Sequence, residues 1–465
     1  MEERDVVVVG SGIAGCMTAA TIAMKSKGKV DVLLLDRNPQ SEVGKKTTLG
    51  WVCGDAVGEH HIKFLHDHLG TSYGKPEMEN RVTAVYVYSP DMKVRVPFEG
   101  PGYVLDRPKF GRRLLDDALK AGVDFRGGVQ ALDLVEESGT IVGLKGQTLG
   151  DNKPFEIRSK LVVDTSGMST KLRRNLPIPS HIEKEINKDD IEPTARLNAK
   201  LRDGVEVEPF HCDIYLDQEK APGGYLWLFP KSEDKVNIGL GIQQKRSTKP
   251  LSALLKDWLA TDDRFREITP LSDDQNLTGS WQVSVRHQND CLVANGYMIC
   301  GDTAWFPNPI SAGGIGPGLI GGVLAGETAL RAIETGDVSE KNLWQYNIDF
   351  VNHYGNKTAG LEAFRMYLQT LSNAEINYGM RHFLSSKEAT EISLGEMPQL
   401  SPFEKLVKLF LGLRSYKAFR GLVYTMNQMK TLNNLYLNYP KDPSQFDTWK
   451  QKVDSILHDT RSRFN

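Results

Sequence analysis

Short apolar runs recur along the chain, and most of them end at a small or acidic residue. Residues 6–9 are four valines, and residues 30–35 are apolar except for one aspartate. Runs of this length without regular polar alternation are typical of strands buried on both faces of a parallel sheet. Residues 161–163 and 297–300 repeat the pattern, so we expect these runs to form neighbouring strands of one buried sheet.

Regular alternation replaces these runs in the middle of the chain. Between residues 222 and 242, large apolar residues alternate with others over two stretches that are separated by a polar turn. A period of two places Tyr225, Trp227 and Phe229 on one face of a strand. Such an aromatic stripe either packs into a core or lines a long apolar pocket, and the pattern alone does not choose between them.

Helical patterns dominate the last third of the chain. Residues 319–332 follow a glycine-rich loop, with Pro317 in the first turn of the predicted helix. Residues 403, 406, 407 and 410 are apolar at helical spacing, and basic residues are frequent from 405 to 430. We interpret this segment as a helix packed on the body with a solvated face. Contact of its basic face with an anionic membrane surface is the alternative.

The first apolar run leads into a G-x-G-x-x-G motif made by Gly10, Gly12 and Gly15. In this motif the first glycine permits a tight turn, the second lets a pyrophosphate approach the backbone, and the third lets a helix pack against the strand. Asp36 follows the second run, 21 residues after Gly15, where a carboxylate binds a ribose hydroxyl. This context predicts a dinucleotide site and leaves NAD and FAD open.

Composition narrows the class of protein. The formal net charge of the 465 residues is −2, which gives no reason to expect a nucleic-acid partner. We expect no targeting segment, because the first strand begins almost at once, and no membrane-spanning helix, because no apolar run reaches about 18 residues. The five cysteines lack metal-binding spacing, so we expect no metal site, reduced thiols and a cytoplasmic protein.

Two further segments contain candidate ligand contacts. Cys53 and Gly54 are followed by small residues, which suits a backbone packed against a flat ligand, whereas a buried structural thiol is the alternative. Asp106 is predicted to cap a helix, and Arg107 beside it could meet phosphate or ribose. The alternative there is an ordinary capped helix with a solvated basic face.

Three separated pieces of the chain indicate the same kind of cofactor site. The glycine motif with Asp36, the pair Asp164 and Gly167, and Asp302 before a glycine-rich helix start together resemble the FAD-binding fold of the p-hydroxybenzoate hydroxylase type. The resemblance implies FAD rather than NAD, with Asp302 on the flavin ribityl chain. The cofactor-binding residues that it implies are Gly10, Gly12, Ala14, Gly15, Asp36, Arg37, Cys53, Gly54, Ala56, Arg107, Ala131, Asp164, Gly167, Asp302, Gly313, Gly314 and Ile315.

This resemblance implies a mixed α/β (α+β) fold with a Rossmann-like FAD-binding domain, a β-sheet substrate domain and a C-terminal helical domain. The FAD-binding domain is predicted to be discontinuous, over residues 1–85, 103–175 and 285–335. The antiparallel-sheet substrate domain is predicted over residues 86–102 and 176–284, and the helical domain over residues 336–465.

A second resemblance narrows the family. Pro222, Tyr225, Trp227, Phe229 and Pro230 match the P-x-x-Y-x-W-x-F-P signature of geranylgeranyl reductases at every fixed position. With the Cys-Gly segment and the long helical tail, the chain resembles the archaeal branch of that family, the digeranylgeranylglycerophospholipid reductases. The resemblance implies an FAD-dependent oxidoreductase that saturates isolated double bonds of geranylgeranyl chains in membrane-lipid precursors. A geranylgeranyl diphosphate reductase, another prenyl-chain reductase and a flavin monooxygenase of the same fold stay open.

For this chemistry we expect hydride transfer from reduced FAD to one alkene carbon and addition of a proton to the other. Cys53 in its thiol form, Tyr225 or a bound water would supply the proton, and His61 is a further candidate. Tyr225, Trp227 and Phe229 would guide the isoprenoid chain. The electron donor stays open between ferredoxin, a deazaflavin and a nicotinamide, and peripheral membrane contact stays an alternative.

Overall fold

The computed structural model describes residues 2–43, 53–168, 170–271, 279–382 and 416–464. Two sheets and a set of helices form the described chain, and the helices alone follow the last strand. The mixed α/β architecture predicted from the sequence is therefore confirmed. The labels used below number the described elements in chain order.

The first sheet contains eight strands among the described residues. They are β1 Glu2–Val9, β2 Val32–Leu35, β6 Asp124–Arg126, β7 Val129–Glu137, β8 Thr140–Thr148, β9 Pro154–Asp164, β16 Val293–Ala294 and β17 Tyr297–Ile299. Their order is β16-β17-β9-β1-β2-β6, with β8 pairing both β9 and β7. The pairings of β1 with β2 and β9, and of β9 with β17, are parallel. The four apolar runs thus lie side by side in one buried sheet, as predicted.

The second sheet contains nine strands among the described residues. They are β3 Ala56–Gly58, β4 Met78–Tyr88, β5 Arg95–Leu105, β10 Ile191–Lys200, β11 His211–Tyr215, β12 Tyr225–Pro230, β13 Lys235–Gly241, β14 Thr269–Pro270 and β15 Gly279–Ser284. Their order is β14-β10-β13-β12-β11-β4-β5-β3, with β15 on β10. Residues 56–58, 78–85 and 103–105 are predicted in the FAD-binding domain. They belong to this second sheet, because β5 pairs antiparallel with both β3 and β4.

Within the described residues, helices form where the sequence pattern predicts them. They are α1 Ile13–Ser26, α2 Glu59–Leu69, α3 Arg107–Lys120, α4 Lys171–Arg174, α5 Leu251–Thr261, α6 Ile315–Thr335, α7 Glu340–Leu343, α8 Gln345–His353, α9 Thr358–Leu368, α10 Asn373–His382, α11 Tyr416–Leu437 and α12 Phe446–Phe464. The predicted amphipathic pattern at 403–410 lies outside the described residues. None of the described helices combines the length and the hydropathy needed to cross a membrane.

Close packing of α1 on α6 sets the positions of both helix starts. A Cβ atom at Gly318 would lie 3.5 Å from Ile13, and one at Gly322 would lie 2.7 Å from the carbonyl oxygen of Ala14. One at Gly326, a turn further on, would lie 2.6 Å from Thr21. The two helices therefore run side by side in the same direction, and both positive N-terminal ends point the same way.

Candidate active site

The glycine motif forms an open cradle at the start of α1. Gly10 has a φ of +102°, which favours glycine, and a Cβ atom there would lie 2.6 Å from the carbonyl oxygen of Thr165. A Cβ atom at Gly15 would lie 1.7 Å from the carbonyl oxygen of Gly10, so only glycine allows this contact between helix and strand. Apart from its two chain neighbours, no heavy atom of the described residues lies within 4 Å of a Cβ atom built on Gly12. The motif therefore fits a pyrophosphate, with open space over its middle glycine.

Asp36 lies at the end of β2, next to this cradle. Its carboxylate accepts hydrogen bonds from the backbone N–H of Ser11 at 2.6 Å and of Asn38 at 2.7 Å. The acid thus stands beside the glycine loop, at the place where a ribose would follow a pyrophosphate. Its neighbour Arg37 is exposed to solvent.

Arg107 lies close enough to the Cys53 and Asp302 segments for its charge to act on both. Asp106 caps α3 by accepting the N–H of Lys109 at 3.2 Å, as predicted, and Arg107 begins the helix with only 6% of its surface exposed. Burial raises the pKa of the Asp302 carboxyl, and the positive charge of Arg107 opposes that rise. The same charge also lowers the pKa of Cys53 against the effect of its burial. The Arg107 charge therefore acts on two buried groups, the Asp302 carboxyl and the Cys53 thiol.

The turn after β9 holds the Asp302 segment in place. The Asp164 carboxylate accepts hydrogen bonds from Ser166, Thr170 and the Tyr297 hydroxyl, and is completely buried. The N–H of Gly167 donates to the Thr303 hydroxyl at 2.8 Å. Because its oxygens are occupied by the chain itself, Asp164 shapes this turn rather than offering its carboxylate to a ligand.

The start of α6 packs directly on His61. A Cβ atom at Gly316 would lie 2.2 Å from Nε2 of His61. None of the described side chains caps this helix, and a Cβ atom on its preceding residue Gly314 would lie 3.4 Å from an Asp302 oxygen. Burial and the neighbouring His60 lower the pKa of His61 to about 3. The imidazole is therefore neutral at ordinary pH, which disfavours the predicted role of His61 as a proton donor.

Cys53 is tied to the second sheet by one asparagine. The Nδ2 group of Asn237, in β13, donates to the carbonyl oxygen of Cys53 and to the Asp55 carboxylate, both at 2.8 Å. The Trp227 indole donates to the Oδ1 atom of the same asparagine at 2.9 Å. Burial and the nearby Asp55 raise the pKa of the Cys53 thiol, which keeps the proton on sulfur.

The aromatic stripe of β12 faces this segment. Phe229 lies so close to Gly54 that a Cβ atom on the glycine would be 2.7 Å from its ring. Leu226 and Leu228 point to the opposite face and pack into a separate apolar core between the sheet and α5. Of the two interpretations of the stripe, its position beside Cys53 supports the ligand wall.

Tyr225 begins the same strand and reaches the loop before α6. Its hydroxyl donates to the carbonyl oxygen of Ser311 at 2.5 Å. Burial raises the pKa of Tyr225 well above its usual value, and the negative charge of Glu192 adds to the rise. The aromatic stripe and the glycine-rich loop therefore meet at this hydroxyl.

The predicted residues differ in how closely the structure brings them together. Ala14 packs on Gly301 at the cradle, and Ala56, Gly313 and Ile315 lie in the segments just described. Ala131 lies half-buried in the strand pair β7–β8, without a contact on these segments among those found in the described residues.

Sequence reasoning missed a polar group beneath the aromatic stripe. Lys231 lies 3.3 Å from the Asp55 carboxylate and 2.8 Å from Glu79, and its side chain is almost completely buried. Asn237 joins the same group. The one signal for it in the sequence is a polar residue between Val236 and Ile238 in an otherwise apolar strand.

Comparisons with known proteins agree with this arrangement. Residues 190–271, which include β10 to β14, match the family model described as geranylgeranyl reductase catalytic domain. The digeranylgeranylglycerophospholipid reductase of Sulfolobus acidocaldarius is 33% identical over 457 residues, which cover 97% of each chain. Digeranylgeranylglycerophospholipid reductase 2 of Methanococcoides burtonii is 33% identical over 74% of this chain and 79% of its own.

Solved structures show the same fold. A geranylgeranyl bacteriochlorophyll reductase-like protein from Thermoplasma acidophilum superposes with a TM-score of 0.74 at 23% identity, covering 92% of this chain and all of that one. A flavin-dependent brominase superposes with a TM-score of 0.62 at 18% identity, over 89% of this chain and all of the other. Identity over nearly the full length of the Sulfolobus protein shows that the chain belongs to the geranylgeranyl reductase family, among relatives named digeranylgeranylglycerophospholipid reductases.

Proposed function

We propose that the chain is an FAD-dependent reductase that saturates isolated double bonds in the geranylgeranyl chains of digeranylgeranylglycerophospholipids. One observation carries the proposal: the aromatic strand β12 lies directly on the Cys53–Gly54 segment, and its Tyr225 reaches the loop before α6, the helix that packs on the start of α1 and its glycine cradle. An apolar wall next to a dinucleotide site suits the transfer of hydrogen to a hydrocarbon chain. The names of the relatives and the coverage of the Sulfolobus protein support the lipid as substrate.

The residues of the cradle fit FAD. Gly12 and the start of α1 would hold the pyrophosphate, Asp36 the ribose, and Asp302 with Arg107 the ribityl chain. FAD, when bound and reduced, supplies the hydride for the alkene. The start of α6 directs its positive end into the same region, where it would stabilise negative charge.

The protein must hold the alkene and protonate it. No carbonyl polarises an isolated double bond, so the site has to fix the chain and exclude water. Trp227 and Phe229 would hold the isoprenoid chain of the substrate in place. The raised pKa values of Cys53 and Tyr225 keep both groups protonated, so either residue, or a water bound beside them, can serve as the proton donor.

Mass spectrometry of reaction products tests the proposal. The purified flavoprotein is reduced chemically without oxygen and incubated with digeranylgeranylglycerol phosphate. We expect a ladder of products that gain two hydrogens per step. If the flavin is bound and fully reduced but the lipid gains no hydrogen, this lipid is not the substrate. Geranylgeranyl diphosphate is then tested in the same way. Consumption of oxygen in the presence of an aromatic compound would instead indicate a monooxygenase.

The electron donor and a membrane contact stay predictions. Ferredoxin, a deazaflavin and a nicotinamide are compared by the rate at which each bleaches the bound flavin. Sedimentation with anionic and neutral vesicles tests whether the protein associates with a membrane surface.

A further inference from the structure

Lys231 is a buried ammonium group that the proposed function does not yet use. It follows Tyr225, Trp227 and Phe229 at the same period of two, so it lies on the same side of the strand as the aromatic stripe. Its backbone N–H donates to the carbonyl oxygen of Lys235 at 2.8 Å, which continues the pairing with β13 beyond the end of β12. A charged residue, of whose surface 6% is exposed, therefore ends the stripe inside the protein.

Residues 53–55, called the Cys53 segment below, lie along this side of β12. Phe229 packs on Gly54, and the next residue on the same side, Lys231, has its Nζ atom 3.3 Å from the Asp55 carboxylate. Successive positions of the stripe therefore contact successive residues of the segment, and Lys231 makes the last of these contacts.

Asp55 has a backbone conformation that depends on its surroundings. Its φ is +64°, in the left-handed region that favours glycine. In this conformation its N–H donates to Sγ of Cys53 at 3.3 Å. Whatever holds Asp55 in place therefore also orients the sulfur atom of Cys53.

Lys231 holds the Asp55 carboxylate by charge. Burial lowers the pKa of Lys231, and the charges of Asp55 and Glu79 raise it above its usual value, so the ammonium group stays charged. Both side chains of the Lys231–Asp55 pair are almost completely buried, so water screens their attraction little. The Nζ group also donates to the carbonyl oxygen of Leu105 at 2.7 Å and lies 2.8 Å from Glu79, and these contacts fix the ammonium group itself.

Asp55 transmits this hold to the thiol. Burial raises the pKa of the Cys53 thiol, the negative charge of Asp55 adds to the rise, and the Asp55 N–H opposes it. The sulfur lone pair that accepts this N–H is fixed, which restricts the directions open to the S–H bond. A proton donor has to point at the atom that it protonates, so this restriction matters for Cys53.

We propose that Lys231 is a positioning residue, which holds the Asp55 carboxylate and thereby orients the Cys53 thiol for proton transfer. This role rests on the proposed function, in which Cys53 is one of the candidate proton donors. The proton that moves is the one on the Cys53 sulfur, and Lys231 keeps its own protons throughout.

The first test observes the thiol itself, through its S–H stretching band in the infrared spectrum of the oxidised flavoprotein. Subtracting the spectrum of the same protein with Cys53→Ala isolates the Cys53 band from those of the four buried cysteines. We expect this band to shift and broaden in Lys231→Met, because the Cys53 segment loses the charge that holds it. A wild-type band in Lys231→Met would overturn the proposal.

Lys450→Met is the matched control. Lys450 of α12 lies 2.8 Å from the fully buried Asp290, so this variant also leaves a buried carboxylate without its counter-charge and lowers stability. We expect it to keep the wild-type Cys53 band. The same broadening in both variants would trace the effect to a general loss of stability, and the specific role of Lys231 would be refuted.

Steady-state kinetics test whether this placement serves the reaction. Lys231→Met should lower kcat by about 10- to 100-fold, because a misplaced donor reacts slowly, while flavin binding and the KM for the lipid change by less than about threefold. In the Cys53→Ala background the same substitution should lower kcat by less than about threefold, since the oriented thiol is already absent. Equal losses in the two backgrounds would show that Lys231 does not act through this thiol.

Asp55→Asn takes the place of Lys231→Met if that variant does not fold. It removes the other charge of the contact and leaves Lys231 paired with Glu79, so we expect the Cys53 band to broaden and kcat to fall; an unchanged band would contradict the proposal. Wild-type turnover in Cys53→Ala would remove the role of Lys231 in proton transfer and leave the reductase intact. If the wild type reduces no prenyl chain, the proposed function fails, while the infrared band still supports or refutes the hold of Lys231 on the thiol.

Discussion

At the scale of single residues, Cys53 is one of the proton donors that we propose. Its carbonyl is held by Asn237, and its thiol lies in a buried region with Arg107. Free buried cysteines are common structural residues, and Cys16, Cys212 and Cys291 are fully buried in this chain. What distinguishes Cys53 is its position beside the aromatic stripe, to which Asn237 connects it.

Cys53→Ala should bind flavin and lose turnover by about 100-fold, because a positioned proton donor contributes on that order. Flavin absorbance of the purified variant measures binding, and mass spectrometry of lipid products measures turnover. Cys212→Ala is the matched control, since its thiol is buried in the second sheet, and it should keep normal turnover. Wild-type turnover in Cys53→Ala would remove this thiol from the mechanism.

At the scale of elements, β12 presents different kinds of residue on its two faces. Leucines pack on one face into the core of the second sheet, and aromatic residues lie on the other beside Cys53. The sequence alone leaves core and ligand wall open, because both require a period of two. The pairing with β13 brings Asn237 beside the stripe, and the role of the stripe as a ligand wall stays a prediction.

Trp227→Ala should reduce the use of geranylgeranyl chains more than it reduces flavin binding. The indole covers Gly239 and donates a hydrogen bond to Asn237. Its loss therefore opens space in the proposed wall for the isoprenoid and leaves the Asn237 oxygen without this hydrogen bond. We expect the preference among isoprenoids of different length to flatten, as measured by competition between substrates. Leu228→Ala, on the other face, should lower stability by about 2–5 kcal/mol without changing this preference.

The first turn of α6 provides a prediction about packing. Gly316→Ala would bring a methyl group within 2.2 Å of His61, and we expect it to destabilise the protein by about 1–3 kcal/mol. Gly318→Ala is the matched control on the same helix, because its nearest neighbour would be at 3.5 Å and alanine favours the helix by about 1 kcal/mol. Thermal denaturation compares the two. Because His61→Ala removes the ring that the new methyl group would meet, it should restore part of the stability lost in Gly316→Ala. A double variant as unstable as Gly316→Ala would contradict the contact.

At the scale of the whole molecule, a buried charge network connects three parts of the chain. His287 and Asp290 precede the last strands of the first sheet, Glu362 lies in α9, and Lys450 lies in α12. His287 lies 2.5 Å from Glu362 and 3.2 Å from Asp290, and Lys450 lies 2.8 Å from Asp290. The C-terminal helices are therefore fastened to the segment that leads to Asp302.

Lys450→Met should destabilise the protein by about 3 kcal/mol, because it removes a counter-charge from the fully buried Asp290. Chemical denaturation measures the change. Lys249→Met, which breaks an ion pair with Asp257 that is more than half exposed, should change stability by less than about 1 kcal/mol. Similar losses in both variants would show that burial does not strengthen the network.

The sequence predicts local features of this molecule well and non-local ones poorly. The roles of Gly10 and Gly15, the cap at Asp106 and the course of the apolar strands follow from short-range sterics and burial, and the structure agrees. Lys231 and Asn237 could not be found in this way. Each depends on which residues face each other across β12 and β13 and on the segment that packs on these strands, and both are fixed only when the sheet assembles.

The two glycines of β13 offer a route to engineered variants. Position 239 is already filled by the Trp227 ring, which would lie 2.3 Å from a Cβ atom there, whereas the nearest atom to a Cβ at position 241 lies at 3.4 Å. Larger side chains, starting from alanine, can therefore be introduced at position 241 but not at position 239. Because position 241 lies opposite Tyr225, which we propose as part of the wall for the isoprenoid chain, we expect a graded series there to shift the preference for chain length, as measured by competition between isoprenoids.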